Sequence, residues 1–341
     1  MRKYLLSNEG AFYKANLHCH TNLSDGAKSP EEIKEIYKSK GYSVVAFTDH
    51  DVFIGHSELT SDSFLALNGF EVEINEEKTV PFADIKTCHI CFIACTPDNL
   101  VHPLWHRSQY LFGNAPKYSH LVKFDRNLPD YVRHYDSKTI NHMIKTGIEN
   151  GFFVTYNHPT WSMENYEDYM AYIGMNAMEI FNGAACAIGY EDYNPRVYDD
   201  MLRGGKKLFC IGADDNHNKH EGTSRYSDCG VAYTMIKAPS LEYSSIMNAL
   251  QQGDFYASTG PEIHELYVQD GKVYIKCSEA DRVLLTCANR SSAVLYSEND
   301  TPLIEAAFVI PENCGYFRLT VVDSKGRRAC TNAYFFDDIN N

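Results

Sequence analysis

The sequence predicts an α/β protein with a parallel sheet, followed by a small all-β domain. Apolar runs typical of strands alternate with helical segments over most of the chain, and polar residues follow directly after several of these runs. From His264 on, short strands separated by Gly, Asp and Asn turns replace that pattern. Alternating strands and helices favour a parallel sheet, and polar residues at the carboxyl ends of its strands indicate a barrel-like mouth.

The first unit is a strand, a helix and a second strand. The run 15–17 leads into His18-Cys19-His20, and the β-rich run 42–48 stops at Asp49-His50. Between them, Ser29-Pro30 is typical of an N-cap followed by the first helical residue, so we expect a helix from there towards Gly41.

The same alternation returns further along the chain. We expect a helix over 137–150, a strand over 152–156 that ends close to His158, a strand over 177–181, and a strand over 207–211 ahead of Asp215. Two of these strands end close to a polar residue, as in the first unit, which again favours chemistry at one edge of the sheet.

Two stretches determine the predicted domain organisation. Residues 96–136 contain four prolines and show little periodicity, which is typical of a functional insertion, and we expect this one to lie over the site. A last helix is expected over 241–252, and the segment 258–261 marks a boundary. We therefore predict an α/β domain over residues 1–262 and a C-terminal β-sandwich over residues 263–341.

The composition limits the classes of partner. The chain has 341 residues and a formal net charge of −14, which disfavours long nucleic acid because that binding depends on Lys and Arg. Its 11 cysteines are scattered and odd in number, which favours free thiols and a cytoplasmic location. No signal peptide and no spanning apolar run is readable, so we expect no membrane association. The oligomeric state is left open.

A set of polar residues indicates a cluster that binds divalent cations. Its members are His18, His20, Asp25, His50, Glu71, His89, His158, Asp215 and His217. Residues this polar are seldom buried unless something pairs with them, and a divalent cation pairs with imidazole and carboxylate alike. His18 and His20 would share one face of a strand and could bind one ion together. Glu71 has two carboxylate oxygens and could bridge two ions about 3.5–4 Å apart.

The motifs that carry these residues appear in a fixed order. They are His18-Cys19-His20, Ser24-Asp25-Gly26, Phe47-Thr48-Asp49-His50, Gly69-Phe70-Glu71, His89, Asn157-His158-Pro159 and Gly212-Ala213-Asp214-Asp215-Asn216-His217. Together they resemble the PHP (polymerase and histidinol phosphatase) family of metal-dependent phosphoesterases, over about residues 15–262. The resemblance implies a distorted (β/α)7 barrel with two or three divalent ions, Mn, Fe or Zn, at its mouth. The β tail resembles a domain appended in some members.

Carried over by position, the resemblance implies three ligand sets. They are His18, His20, Glu71 and Asp215 for one ion, Glu71, His89 and His158 for a second, and Asp25, His50 and His217 for a third. Asp215 is preferred to Asp214 because it keeps a two-residue step to His217. The residues predicted to take part most directly in catalysis are His20, Glu71, Asp215 and His217.

The function that the resemblance implies is hydrolysis of a small phosphomonoester or phosphodiester, a nucleotide or a phosphorylated metabolite. A hydroxide bridging two ions would attack phosphorus. Phosphate oxygens need cationic partners, and the candidates are Arg107, Arg133, His134 and Arg225.

Two other functions stay open. The same cluster could act on carbon in an amidohydrolase-like reaction at a C–N or C–O bond, because a metal hydroxide does not by itself select phosphorus. Alternatively, the β domain could be a binding module that recognises a partner.

Overall fold

The computed structural model describes residues 2–299 and 301–340. The strands are β1 Lys3–Tyr4, β2 Ala11–Asn16, β3 Val44–Phe47, β4 Leu65–Asn75, β5 Thr87–Ala94, β6 Phe152–Tyr156, β7 Ala177–Asn182, β8 Phe209–Ala213, β9 Tyr233–Ala238, β10 Phe255–Ser258, β11 Ile263–Gln269, β12 Lys272–Ala280, β13 Arg282–Cys287, β14 Ala293–Tyr296, β15 Leu303–Val309, β16 Tyr316–Val322, β17 Arg328–Thr331 and β18 Tyr334–Phe335. The α-helices are α1 Pro30–Ser39, α2 Ala115–Tyr118, α3 Ser137–Glu149, α4 Tyr166–Ala171, α5 Gly183–Ala187, α6 Pro195–Arg203, α7 Tyr243–Gln252 and α8 Phe336–Asn340. Short 3-10 helices cover Ser57–Leu59, Phe82–Asp84 and Ser119–Leu121.

The main sheet is mixed. Its strand order is β14-β13-β16-β17-β10-β9-β2-β3-β4-β5-β6-β7-β8, with β18 paired to β16. The pairs β2–β3, β3–β4, β6–β7 and β7–β8 are parallel, as expected, whereas β5 runs antiparallel to both of its neighbours. The α/β class is therefore confirmed, but the sheet is not purely parallel.

The main sheet does not close into a barrel by strand pairing within residues 2–299 and 301–340. Beyond the end of β8, Asp215 N donates to His18 O at 2.9 Å, and His20 N donates to Asn216 O at 3.1 Å. An isolated parallel bridge, Cys19 to Asn216, thus joins the two ends of the α/β part of the sheet. This bridge brings the first and the last of the predicted motifs together.

The C-terminal region is rich in β-structure, as expected. A second sheet has the order β1-β11-β12-β15, and its apolar side packs against β13 and β16 of the main sheet around residues such as Leu266, Ile275 and Leu319. The main sheet continues across residue 262, because β10 pairs with both β9 and β17. The division into domains at residue 262 stays a prediction.

Helix α3 shows why the α/β core packs as it does. Asp136 caps the helix, its carboxylate accepting the Thr139 N–H at 2.7 Å, and the residues at helical spacing, Ile140, Met143, Ile144 and Gly147, are buried. A Cβ on Gly147 would lie 2.4 Å from the Phe92 ring, so this close approach of helix to sheet requires glycine. No described helix is both long and apolar enough to cross a bilayer.

The insertion over residues 96–136 packs beside the predicted site. Its Trp105, Ala115 and Val122 form a small buried apolar cluster with Leu23 and Val52, which belong to loops that carry predicted ligands. Gly113 (φ +54°) lies so close to Ser24 that a Cβ would meet the Ser24 carbonyl oxygen at 2.3 Å. The insertion therefore supports the loop that contains Asp25.

A buried ion pair joins the C-terminal strands to the α/β part. Arg318 on β16 donates from Nε to Asp199 Oδ1 at 2.9 Å and from Nη2 to Asp199 Oδ2 at 2.8 Å, and Tyr316 OH donates to Asp199 Oδ1 at 2.9 Å. Arg318 is 3% exposed and Asp199 on α6 is 8% exposed. The pair is therefore shielded from water on both sides.

We expect Arg318→Met to lower the free energy of unfolding by about 3–5 kcal/mol, because it leaves the buried Asp199 carboxylate without its charged partner. Urea denaturation measures the loss, and Arg290→Met, at an exposed position of the same region, is the matched control. A loss no larger than that of the control would mean that the pair does not couple the β region to α6.

Candidate metal centre

The first predicted ligand set converges between β2 and the end of β8. His18 Nε2 lies 3.1 Å from Glu71 Oε1 and 3.2 Å from Asp215 Oδ1. His20 Nε2 lies 3.2 Å from Glu71 Oε2 and 3.0 Å from Asp215 Oδ1. The four side chains offer ligand atoms that all lie within 4.8 Å of one another, so they could hold one ion.

The second set shares Glu71. His89 Nδ1 lies 3.2 Å and His158 Nε2 3.7 Å from Glu71 Oε1, and the three residues again offer ligand atoms within 4.8 Å of one another. The antiparallel pairing of β4 with β5 places His89 next to the strand that carries Glu71. Both carboxylate oxygens of Glu71 therefore face imidazole nitrogens, as a bridging ligand requires.

The third set comprises Asp25, His50 and His217, and the structure adds His20 to it. His217 Nε2 lies 3.2 Å from Asp25 Oδ2, and His20 Nδ1 lies 3.6 Å from Asp25 Oδ1. The His20 ring stacks against the rings of His50 and His217 at centroid distances of 4.6 and 4.5 Å. All nine residues of the predicted cluster thus lie in one connected group.

The electrostatics of the cluster are those of a site built for positive charge. Burial alone would lower the pKa of His18. The negative charges of Asp215, Glu71 and Glu179 outweigh the effect of burial and raise the pKa of His18 well above its usual value. In the same way, hydrogen bonding to Glu71 and the charge of Asp215 overcome burial and raise the pKa of His158 to about 9. Burial would raise the pKa of Glu71, but the surrounding imidazoles lower it well below its ordinary value.

The residues present fit divalent cations. Among the described residues, the buried atoms His20 Nδ1 and His50 Nδ1 have no hydrogen-bond partner, and both belong to the third set. An unpartnered buried nitrogen is costly, and coordination of a cation would satisfy it. Asp215 (φ 52°) and His158 (φ 25°) also adopt backbone conformations that are rare for residues other than glycine, a strain that clusters at functional sites.

Asp214 and Asp49 are not in the ligand groups and organise loops instead. Asp214 accepts hydrogen bonds from the backbone of Val231 and Ala232, both at 2.8 Å, so Asp215 alone of the two carboxylates reaches the imidazoles. Asp49 accepts from Thr21 Oγ1 at 2.7 Å and from Ser24 Oγ at 2.6 Å, which fixes the loop between His20 and Asp25.

Glu179 is a site residue that the sequence reasoning missed. Its Oε1 lies 2.7 Å from His18 Nδ1, and its Oε2 accepts the backbone N–H of His158 at 2.9 Å. Glu179 is fully buried in the middle of β7, and it forms a fourth possible ligand group with His18 and His158. A single charged residue inside the apolar run 177–181 was the available signal.

The cluster opens into a cavity of about 370 Å³. Its lining includes seven of the nine predicted ligands, Asp25, His50, Glu71, His89, His158, Asp215 and His217. Its basic side chains outside the predicted ligands are Lys219 and His220, which follow His217 in the loop after β8 and were not predicted. The carboxylates of Glu73 and Asp228 also line the cavity.

Within the described part of the chain, none of the four residues predicted to contact phosphate lines this cavity. Arg107 pairs with Asp130 at the surface, the exposed His134 lies 2.7 Å from Glu77, and Arg225 lies over the Tyr226 ring. Arg133 is buried and forms a bidentate ion pair with Asp51. All four residues therefore lie outside the lining of this cavity, and their role as phosphate contacts stays a prediction.

The fold and the cluster define an α/β protein with a buried candidate site for several divalent cations. Residues 16–214 match the PHP domain, a span of more than half the chain, so the chain belongs to the PHP domain family. A comparison with curated proteins found no match.

Three of the solved structures that the chain resembles illustrate the degree of similarity. A two-domain protein from Bacteroides vulgatus that contains a predicted PHP-like metal-dependent phosphoesterase shares 16% identity over 97% of this chain and 99% of that chain (TM-score 0.43). A protein from Bifidobacterium adolescentis assigned as a metal-dependent phosphoesterase shares 17% over 64% and 91% (TM-score 0.41). An amidohydrolase from Chromobacterium violaceum, with bound sulfate and no metal, shares 16% over 60% and 87% (TM-score 0.37). These values indicate distant likeness only.

We expect Glu71→Gln to reduce the number of bound Mn²⁺ ions more than His217→Asn, because Glu71 belongs to two of the ligand groups and His217 to one. Equilibrium dialysis followed by metal analysis measures the ions per chain. His264→Asn, at an exposed position on β11, is the control. Equal losses in the two variants would contradict the shared role of Glu71.

We expect Glu179→Gln to weaken Mn²⁺ affinity about 10–100-fold while leaving the number of ions at saturation unchanged, because the carboxylate orients His18 from its far nitrogen. Titration calorimetry gives both quantities. Glu191→Gln, at an exposed position, is the matched control. Loss of an ion at saturation would instead make Glu179 a direct ligand.

Proposed function

We propose that the protein hydrolyses a small phosphate monoester or diester with the help of bound divalent cations. The observation that carries the proposal is that three groups of predicted cation ligands are linked, the first and second through Glu71 and the first and third through His20, and that this cluster opens into one cavity of about 370 Å³. Several positive charges placed this closely suit a phosphoryl group, whose oxygens carry more negative charge than a carbonyl. Membership of the PHP domain family supports the same conclusion.

In this proposal Glu71 is the central ligand. Its two oxygens face His18 and His89 on one side and His20 on the other, so one carboxylate can serve two adjacent ions. Bound Mn, Fe or Zn ions would lower the pKa of a bound water molecule and neutralise charge on the reacting oxygens. Asp215 completes the first group, and the surrounding sheet excludes bulk water, since Glu71 is 1% exposed.

His217 has a different position from the other ligands. Its side chain is 21% exposed and lines the cavity, with Nε2 directed at Asp25. In the proposal this imidazole either completes the third ligand group or delivers a proton from Nε2 to the leaving oxygen. Both roles place it on the leaving-group side of the substrate.

Lys219 and His220 are the proposed contacts for the phosphate oxygens outside the ions. Both are exposed and line the cavity beside His217. Apart from the imidazoles, the other ionisable side chains of the lining are acidic, namely Glu73, Asp228 and the carboxylates among the predicted ligands. The ions would reverse the sign of this field, so the affinity for an anionic substrate depends on them first and on Lys219 second.

We expect the purified protein to hydrolyse p-nitrophenyl phosphate or its phosphodiester when Mn²⁺, Fe²⁺ or Zn²⁺ is added, and to lose activity in EDTA. Lys219→Met should raise KM about tenfold, the cost of one charged hydrogen bond to the substrate, whereas Arg107→Met should leave KM unchanged. Initial rates over a range of substrate concentrations measure both.

Two outcomes would contradict the proposal. Turnover of p-nitrophenyl acetate or an anilide, with none of any phosphate ester, would favour amidohydrolase-like chemistry at carbon. An absence of hydrolysis with every cation, although metal analysis finds the ions bound, would favour a binding module.

A further inference from the structure

The lining of the cavity beside the cluster has a charged part and an apolar part. The charged part consists of seven predicted cation ligands together with Glu73, Lys219, His220 and Asp228. The apolar part consists of Phe82, Phe112, Trp161, Ala184, Ala185, Ala187, Ile188 and Tyr226. A phosphate bound among the ions would therefore present its ester group to an apolar wall.

The wall begins where the ligand imidazoles end. The Trp161 ring meets His158 edge-on at a centroid distance of 5.0 Å and His89 at 5.4 Å. The Phe112 ring lies 5.1 Å from that of His50. Apolar side chains are thus in direct contact with predicted ligands of the second and third groups.

Helix α5 forms part of the wall. Its small residues Ala184, Ala185 and Ala187 leave room for a planar group. Asn182 caps the helix through the Ala185 N–H at 2.9 Å, and its amide also lies 3.3 Å from Asp215 Oδ2. The position of this surface is therefore fixed relative to a predicted cation ligand.

Three large apolar side chains lie exposed around the mouth. Phe82 is 53% exposed, Ile188 66% and Tyr226 55%, and they come from three separate segments of the chain. Exposed apolar side chains are common singly, but a set that surrounds one cavity is typical of a ligand-binding surface. These residues extend the wall outwards from Trp161 and α5.

We propose that the ester group of the substrate carries an uncharged aromatic ring, which binds between Trp161 and the exposed residues Phe82, Ile188 and Tyr226. The inference rests on the proposed phosphate-ester hydrolysis and identifies its substrate class. Aromatic side chains favour stacked or edge-to-face contact with another ring, and the cavity volume lies at the small end of the usual range for ligand pockets. A phosphate and one ring system would occupy it.

The test compares benzylphosphonate with methylphosphonate, two compounds that cannot be hydrolysed, on the Mn²⁺-loaded protein by titration calorimetry. We expect benzylphosphonate to bind at least tenfold more tightly. In the triple variant Phe82→Ser, Ile188→Ser, Tyr226→Ser that ratio should fall to about three or less. All three positions are exposed, so the variant keeps the fold.

The matched control is the triple variant Val294→Ser, Tyr296→Ser, Ile304→Ser, which removes three exposed apolar side chains from the C-terminal region. It should keep the full ratio. Equal affinities for the two phosphonates in the wild type, no binding of benzylphosphonate, or an unchanged ratio in the first variant would each overturn the inference. Because the measurement needs no turnover, its failure is separate from a failure to hydrolyse phosphate esters.

Discussion

The structure depends on one buried carboxylate, Glu71, surrounded by imidazoles. Taking a carboxylate out of water is costly unless other groups compensate, and Glu71 is 1% exposed. His18, His20, His89 and His158 all approach it within 3.7 Å, and Asn157 Nδ2 donates to its Oε1 at 2.9 Å. The chain therefore has to bring four separate segments to one point in its interior, and the strand order of the sheet does this.

The mixed sheet explains how the segments meet. Parallel pairing runs β3 along the first part of β4, so that His50, just beyond the end of β3, forms a bridge with Glu71 in the middle of β4. The antiparallel strand β5 then returns along β4 and brings His89 to the same place. The bridge between Cys19 and Asn216 brings the histidines that follow β2 next to Asp215, which follows β8. A purely parallel arrangement would leave His89 at the wrong end of its strand.

The sequence predicted the cluster better than its surroundings. The nine predicted ligands follow from short motifs whose residue types and spacing are local, and the choice of Asp215 over Asp214 needed only the two-residue step to His217. Long-range pairing is not visible in such patterns. The antiparallel pairing of β4 with β5 depends on the register between the two strands. The pairing of β10 with β17 depends on a partner strand far away in the sequence.

The positions of the basic residues could not be predicted from the sequence for the same reason. Arg107 pairs with Asp130 and Arg133 pairs with Asp51, and both partners are distant in the sequence. These partners determine where each guanidinium lies. Conversely, Glu179 was overlooked because it lies within an apolar run rather than at the end of one. Charge alone does not show where a side chain points, and only the tertiary contacts separate a ligand-orienting carboxylate from a surface one.

Strand β7 links the candidate cation site to the proposed ring-binding wall. Its Glu179 contacts His18 and the backbone of His158, and three residues further on Asn182 donates to Glu179 Oε2 at 2.8 Å while it caps α5. The apolar surface of α5 is therefore connected through two side chains to ligands of the first and second groups. A substitution in β7 that shifts Glu179 would displace both halves of the cavity together, because the same strand end positions the imidazoles and begins the wall.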